Sequence, residues 1–124
     1  MNSPFARLVR LVMLTQGSLY RDAITAADER LLGFGSVDES VFNDLPPKRY
    51  FAVRTLREIL GRYNAAMLEL CAERKLWCYD VDTFVPQTSA AYYDDAHVNA
   101  QGARMLGAEL AKRLDAAIAA NGGY

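Results

Sequence analysis

The segment Leu76-Trp77-Cys78-Tyr79-Asp80-Val81-Asp82 restricts the fold more than any other stretch of this chain. It is short, aromatic and mostly apolar, and it lies between a charged helix end and Pro86. Without clean alternation, such a run reads as a strand covered on both faces, the parallel-sheet type. Before it, Val53, Leu56, Leu60, Tyr63, Met67 and Leu70 recur in steps of three and four, one apolar stripe of a helix. Arg54, Arg57, Glu58, Arg62, Glu69 and Glu73 occupy the opposite face. Pro46 and Pro47 suit the start of that helix with Asp44 as cap, although Thr55 and Glu58 have capping-box spacing and would start it later. A last helix is predicted from a cap at Asn99 to about Ala120, with Ala103, Leu106, Leu110, Leu114 and Ile118 as its stripe and Asn121-Gly122-Gly123 as its end. Helix, buried strand, helix is the grammar of an α/β layered fold. Only one strand is legible, and its two edges would need covering.

The rest of the chain is less regular. Phe5, Leu8, Val9 and Val12 recur at helical spacing with Arg7 and Arg10 between them. A short amphipathic helix packed on protein is expected there. The arginines interrupt the apolar stretch and no small-x-small cleavage site follows, so a signal peptide is not expected. From Thr15 to Pro47 the glycines, prolines and acids predict a loop-rich connection or lid, with Ala23 to Leu32 its best helical piece.

At 124 residues the chain has the size of one domain. A net charge of −1 argues against a nucleic-acid partner, which would need a clustered basic excess. No apolar run approaches the length of a membrane span. Cys71 and Cys78 form neither a disulfide framework nor a metal-ligand spacing, and a reduced pair in a cytoplasmic protein is expected. No cofactor or metal is expected.

His97 is the single histidine, and Asp94 stands three residues before it in Tyr92-Tyr93-Asp94-Asp95-Ala96-His97-Val98-Asn99. A general base for a hydroxyl nucleophile needs an imidazole whose other ring nitrogen is held by a carboxylate. One short turn can supply both groups. The turn follows a buried-type strand, and open α/β sheets place their sites at the carboxyl ends of strands. The bland alternative is a pair of solvated acids and a polar residue near a helix start.

The string from Tyr93 to Ala103 resembles the final block of SGNH (GDSL-type) serine ester hydrolases: Asp-x-x-His, then Asn99, then Gly102 opening the last helix. Arg62-Tyr63-Asn64, then Leu68, Ala72 and Glu73 and a strand ending in aspartate, resemble the preceding helix–strand unit of that family. The resemblance spans Leu56 to Leu114 and is specific in its last twenty or so residues. It implies a three-layer αβα, flavodoxin-like fold, His97 as general base, Asp94 as its orienting partner with Asp95 as the fallback, and Asn99 as a structural cap. It implies an esterase or lipase acting on small or carbohydrate-borne acyl esters.

The family's Gly-Asp-Ser nucleophile block does not occur. Gly17-Ser18-Leu19 and Gly35-Ser36-Val37 lack the aspartate and the preceding apolar strand. Val41-Phe42-Asn43-Asp44 carries valine where the family's oxyanion block has glycine, so Asn43 is a weak oxyanion candidate. The expectation is therefore a truncated domain, the C-terminal portion of an SGNH hydrolase with its N-terminal strands missing. Serine and oxyanion donors would come from upstream sequence or a partner chain, and the chain would be homo-oligomeric or completed by its missing half. The competing expectation is a non-catalytic remnant that binds a ligand or a protein.

Overall fold

The computed structural model describes residues 10–35 and 49–122. In chain order these hold strand β1 (Val12–Leu14), the short helix α1 (Ala26–Glu29), helix α2 (Val53–Arg74), strand β2 (Trp77–Tyr79), a 3-10 turn (Val81–Thr83) and helix α3 (Ala100–Ala120). The α/β character holds, but the second strand was not legible. Val12, Met13 and Leu14 pair in parallel with Trp77, Cys78 and Tyr79. The N-terminal helix expectation is thus wrong at Val12, while Phe5, Leu8 and Val9 lie outside the described residues. Three apolar residues do not distinguish helix from strand by period. The unpaired backbone of β2 decides the matter, because a partner strand satisfies its edge.

Helix α2 ends as its sequence permits but does not announce. Lys75 adopts the left-handed conformation (φ 53°, ψ 42°). The Lys75 N–H donates to Ala72 O, and Leu76 N–H donates to Cys71 O at 3.0 Å. This pair of bonds is a Schellman turn, which satisfies the last helical carbonyls and reverses the chain. Cys71, buried in the final turns of the helix, then meets Cys78 of β2, and the two form a disulfide with Cα atoms 6.1 Å apart. The reduced pair expected from sequence is corrected here. Seven residues of separation carried no such signal until the turn folded them together. On the loop-closure model, so short a loop contributes about 2–3 kcal/mol.

The start of α2 also differs from expectation. Val53 is its first residue and Ala52 caps it without a side-chain bond, so the Thr55–Glu58 capping box is not formed. Asp44, Pro46 and Pro47 lie outside the described residues. The predicted apolar stripe is only partly used: Val53, Leu56, Leu60 and Met67 are half-buried, but Tyr63 and Leu70 are exposed.

Successive strand residues face opposite sides of a sheet. Cys78 faces α2 through the disulfide, so Tyr79 points to the other face, where its hydroxyl donates to Arg113 O of α3 at 3.3 Å. The two long helices therefore flank β2 on opposite faces. All three β2 residues remain half-buried rather than fully covered, and among the described residues the outer edges of both strands are unpaired. Helix α3 matches its prediction closely, with the Asn99 side chain accepting from Gly102 N–H at 2.9 Å.

The core lies beyond the carboxyl ends of the strands. Leu19, Val81, Val85, Ala91 and Tyr92 are buried together, with Leu14, Leu31, Leu32, Phe84, Val98 and Leu106 packed around them. Thr15, next after β1, ties the two strand ends: its hydroxyl donates to Asp80 Oδ1 at 2.9 Å and accepts from Val81 N–H at 2.8 Å.

Candidate functional site

The loop between the 3-10 turn and α3 is pinched at its base. Tyr92 and Val98 form an antiparallel bridge, Tyr93 N–H donates to His97 O at 3.1 Å, and Asn99 N–H donates to Ala91 O at 2.8 Å. Gly102 is needed beside this base, because a β-carbon there would collide with the Ala91 carbonyl. The residues between, Asp94-Asp95-Ala96, form the tip.

Asp94 shapes that tip with one carboxylate. Its Oδ1 accepts from Ala96 N–H at 3.0 Å and from His97 N–H at 2.8 Å. The same carboxylate lies 2.8 Å (Oδ2) and 3.0 Å (Oδ1) from His97 Nδ1. Partial burial opposes ionisation, but the Ala96 and His97 N–H donors and the imidazole outweigh it and hold the carboxyl below its ordinary range. A carboxylate accepts only, so in the neutral ring Nδ1 carries the proton and Nε2 presents its lone pair. Nε2 makes no hydrogen bond among the described residues, and the His97 side chain is 58% exposed. The sequence-predicted pair is therefore brought together, with the basic nitrogen outward.

Asp95, the fallback partner, does not take that role. It is fully buried and turns inward. Its Oδ1 accepts from Gly33 N–H at 2.5 Å and Phe34 N–H at 3.2 Å, and its Oδ2 accepts from the Tyr20 hydroxyl at 2.8 Å. Burial, then the bond and charge of Asp95, push the Tyr20 phenol well above its ordinary range. Adjacent acids thus have opposite tasks, Asp94 turned outward to His97 and Asp95 inward to Gly33, Phe34 and Tyr20. By fixing the Gly33–Phe34 backbone, Asp95 sets the Phe34 ring 5.9 Å from the imidazole, while Tyr93 stacks on it at 5.7 Å. Phe34 and Tyr20 were missed from sequence because the irregular connection has no periodicity to announce them.

That connection is docked on the site loop. Arg21 pairs with the buried carboxylate of Asp28 at 2.6 Å and donates to Gln87 O, while Ser89 N–H donates to Asp28 at 3.3 Å. Leu19 N–H reaches Asp95 O at 2.9 Å. The whole assembly sits where both parallel strands end, the usual place for a site in such sheets.

Ser18 stands apart from it. An apolar strand does precede Gly17-Ser18, contrary to the sequence reading, since β1 ends at Leu14. Yet Ser18 is buried, its hydroxyl accepts from Tyr20 N–H at 3.2 Å, and its N–H faces the Asp82 carboxylate rather than His97. Ser18 lines a cavity of about 360 Å³ with Tyr20, Arg57, Asn64, Asp82 and Gln87. A second cavity of similar size is lined by Leu32, Tyr50, Phe51 and Leu56. Neither is lined by His97. Ser36 and Asn43 lie outside the described residues. Among the described residues no three His, Cys, Asp or Glu side chains converge as metal ligands, and no helix is long and apolar enough to cross a membrane. Comparison with protein-family models, with curated proteins and with solved structures found no match.

Proposed function

We propose that this chain supplies the acid–base half of an SGNH (GDSL-type) serine ester hydrolase, an esterase or lipase, and forms part of a three-layer αβα domain. The observation that carries the reading is the Asp94–His97 pair, with Nδ1 held at 2.8 Å and Nε2 bare, at the carboxyl ends of the strands. A serine hydroxyl from outside this chain attacks an ester carbonyl and loses its proton to His97 Nε2. Asp94 stabilises the imidazolium, which then protonates the departing alcohol. Water repeats the cycle on the acyl-serine and releases the acid. The free outer edges of β1 and β2 support completion of the sheet by further strands, from the same domain or a second copy. The substrate class is a small or carbohydrate-borne acyl ester. The disulfide favours an oxidising compartment over the cytoplasm.

The isolated chain should leave a short-chain nitrophenyl ester untouched beyond its own His97→Ala background. Joined to an upstream Gly-Asp-Ser half, it should gain activity that His97→Ala abolishes and Asp94→Asn lowers by about 10⁴-fold, as loss of the orienting aspartate does in other serine hydrolases. A fluorophosphonate, which labels only activated serine, checks both. Stoichiometric labelling of Ser18 in the isolated chain would place the nucleophile here and remove the half-domain argument. No labelling in the joined protein would favour the non-catalytic remnant, a reading that the engaged hydroxyl of Ser18 already supports.

A further inference from the structure

Gln16 follows β1 by two residues and touches the tip of the site loop, eighty positions along the chain. Its Nε2 donates to its neighbour Gly17 O at 2.8 Å and to Ala96 O at 3.2 Å. Both targets are carbonyls, so the amide can only face them with its NH₂ group. The peptide it grips joins Ala96 to His97, and the N–H of that same peptide, on His97, donates to Asp94 Oδ1 at 2.8 Å. Gln16 is itself held from a third element. Asn64 of α2 accepts from Gln16 N–H at 3.0 Å and donates to Gln16 O at 2.9 Å, pairing with that residue's backbone much as a neighbouring strand would. An unbroken series of polar contacts therefore runs from α2 through the end of β1 to the peptide between the two members of the acid–base pair.

We infer that Gln16, clamped by Asn64, is a positioning residue for the Asp94–His97 pair. The turn at Asp94 is short and partly exposed, and its own bonds leave the Ala96 carbonyl to be held from outside. Without the Gln16 amide that peptide is free to rotate, which carries the His97 N–H off Asp94 Oδ1 and moves the imidazole relative to the carboxylate. Asn64 acts one step back: it keeps the Gln16 backbone beside α2 so that the side chain points along the loop. Neither residue reaches Nε2, so neither is catalytic. The meaning of this arrangement for turnover rests on the acid–base reading above, but the arrangement itself can be tested without a nucleophile.

His97 is the single histidine, so every imidazole signal in a ¹⁵N-labelled sample of the full chain belongs to it. On the alkaline plateau, where the nitrogen shifts no longer change with added base, the ring is neutral and those shifts report the tautomer. The native chain should show a protonated Nδ1 and a bare Nε2. Asp94→Ala sets the zero point by removing the partner. Gln16→Ala and Asn64→Ala should each lose most of the difference between those two limits, with Gln16→Ala the larger. Retention of the native tautomer in Gln16→Ala, with the β1–β2 cross-strand amide contacts intact, overturns the inference. A second measurement covers the case in which the variants unfold. In the unsubstituted protein the Gln16 side-chain amide should show a through-hydrogen-bond coupling to the Ala96 carbonyl carbon, and its absence overturns the inference whatever the variants do. Loss of the tautomer in Gln16→Ala, together with no esterase activity in the joined protein, would sink the proposed function and leave this inference standing.

Discussion

The loop from Tyr92 to Asn99 and the unit formed by α2 and the two strands are held by different forces. In the loop, polar bonds set the geometry: one carboxylate organises the tip, another anchors the neighbouring connection, and Asn99 caps the helix that follows. In the α2–sheet unit, the long-range ties are a disulfide, three pairs of strand residues, the Asn64 bonds to the Gln16 backbone and an incompletely covered apolar surface. Tyr63 at 74% exposed and Leu70 at 43% lie on that surface. Directional bonds specify a site to within fractions of an ångström without much burial. Apolar surface specifies only that something must cover it. The chain thus carries a sharply defined Asp94–His97 turn on a scaffold whose apolar surface is only partly covered.

The sharpest break of this contrast compares the two neighbouring acids. Asp95→Ala leaves two backbone N–H groups and the Tyr20 hydroxyl without their buried partner, so unfolding free energy should fall by about 3 kcal/mol or more in urea. Asp94→Ala, on the exposed side, should cost under about 1 kcal/mol in the same titration. Equal costs would mean that the inward and outward roles are wrongly divided.

Next in size is the staple between α2 and β2. Cys71→Ala or Cys78→Ala should lower stability by about 2–3 kcal/mol. Thermal unfolding followed by circular dichroism measures this, and a reductant should mimic it in the native chain. The His97 tautomer should respond less than in Asn64→Ala, because the contacts from α2 to the loop pass through Asn64 and Gln16 and not through the disulfide. An equal loss would show that the disulfide is what keeps Asn64 in place.

The smallest effect concerns pH. Burial, then the nearby Asp80 charge, push the Asp82 carboxyl up to about 6, against the Ser18 N–H and Arg57 that favour its ionised form. Asp82 as a whole residue is still exposed, so solvent screens most of the consequence. The folded chain holds this proton more tightly than the unfolded one. Stability from this group is therefore full below about pH 4, the unfolded value, and declines as pH rises through 6. Asp94 acts oppositely: its lowered value adds stability above the unfolded range and loses it as pH falls. Asp82→Asn should flatten the decline between about pH 4 and 6 in a urea-midpoint series. An unchanged slope would assign the decline to another group.

How much could be read beforehand followed the range of the interactions. Asn99 as cap, the α3 span and the approach of Asp94 to His97 depend on residues three apart, so local sequence expressed them. The end of α2 just before Leu76 was expected, but not the manner of the turn, because Lys75 takes a left-handed conformation that its residue type does not advertise. Strand β1 was missed because three apolar residues carry no period of their own, and the inward turn of Asp95 was missed because its partners lie more than sixty residues away.

The sequence by itself thus determined the α/β character, the two long helices and the Asp94–His97 contact, since hydrophobic period, capping and an Asx-type turn act within one or two turns of chain. Only the tertiary structure decided the rest. The β1–β2 register, the Cys71–Cys78 bond, the division of labour between Asp94 and Asp95 and the reach of Gln16 to Ala96 all require segments seven to eighty residues apart to meet. Which segments meet is set by where each can bury its apolar surface and pair its backbone groups, and both depend on the other parts of the fold already in place.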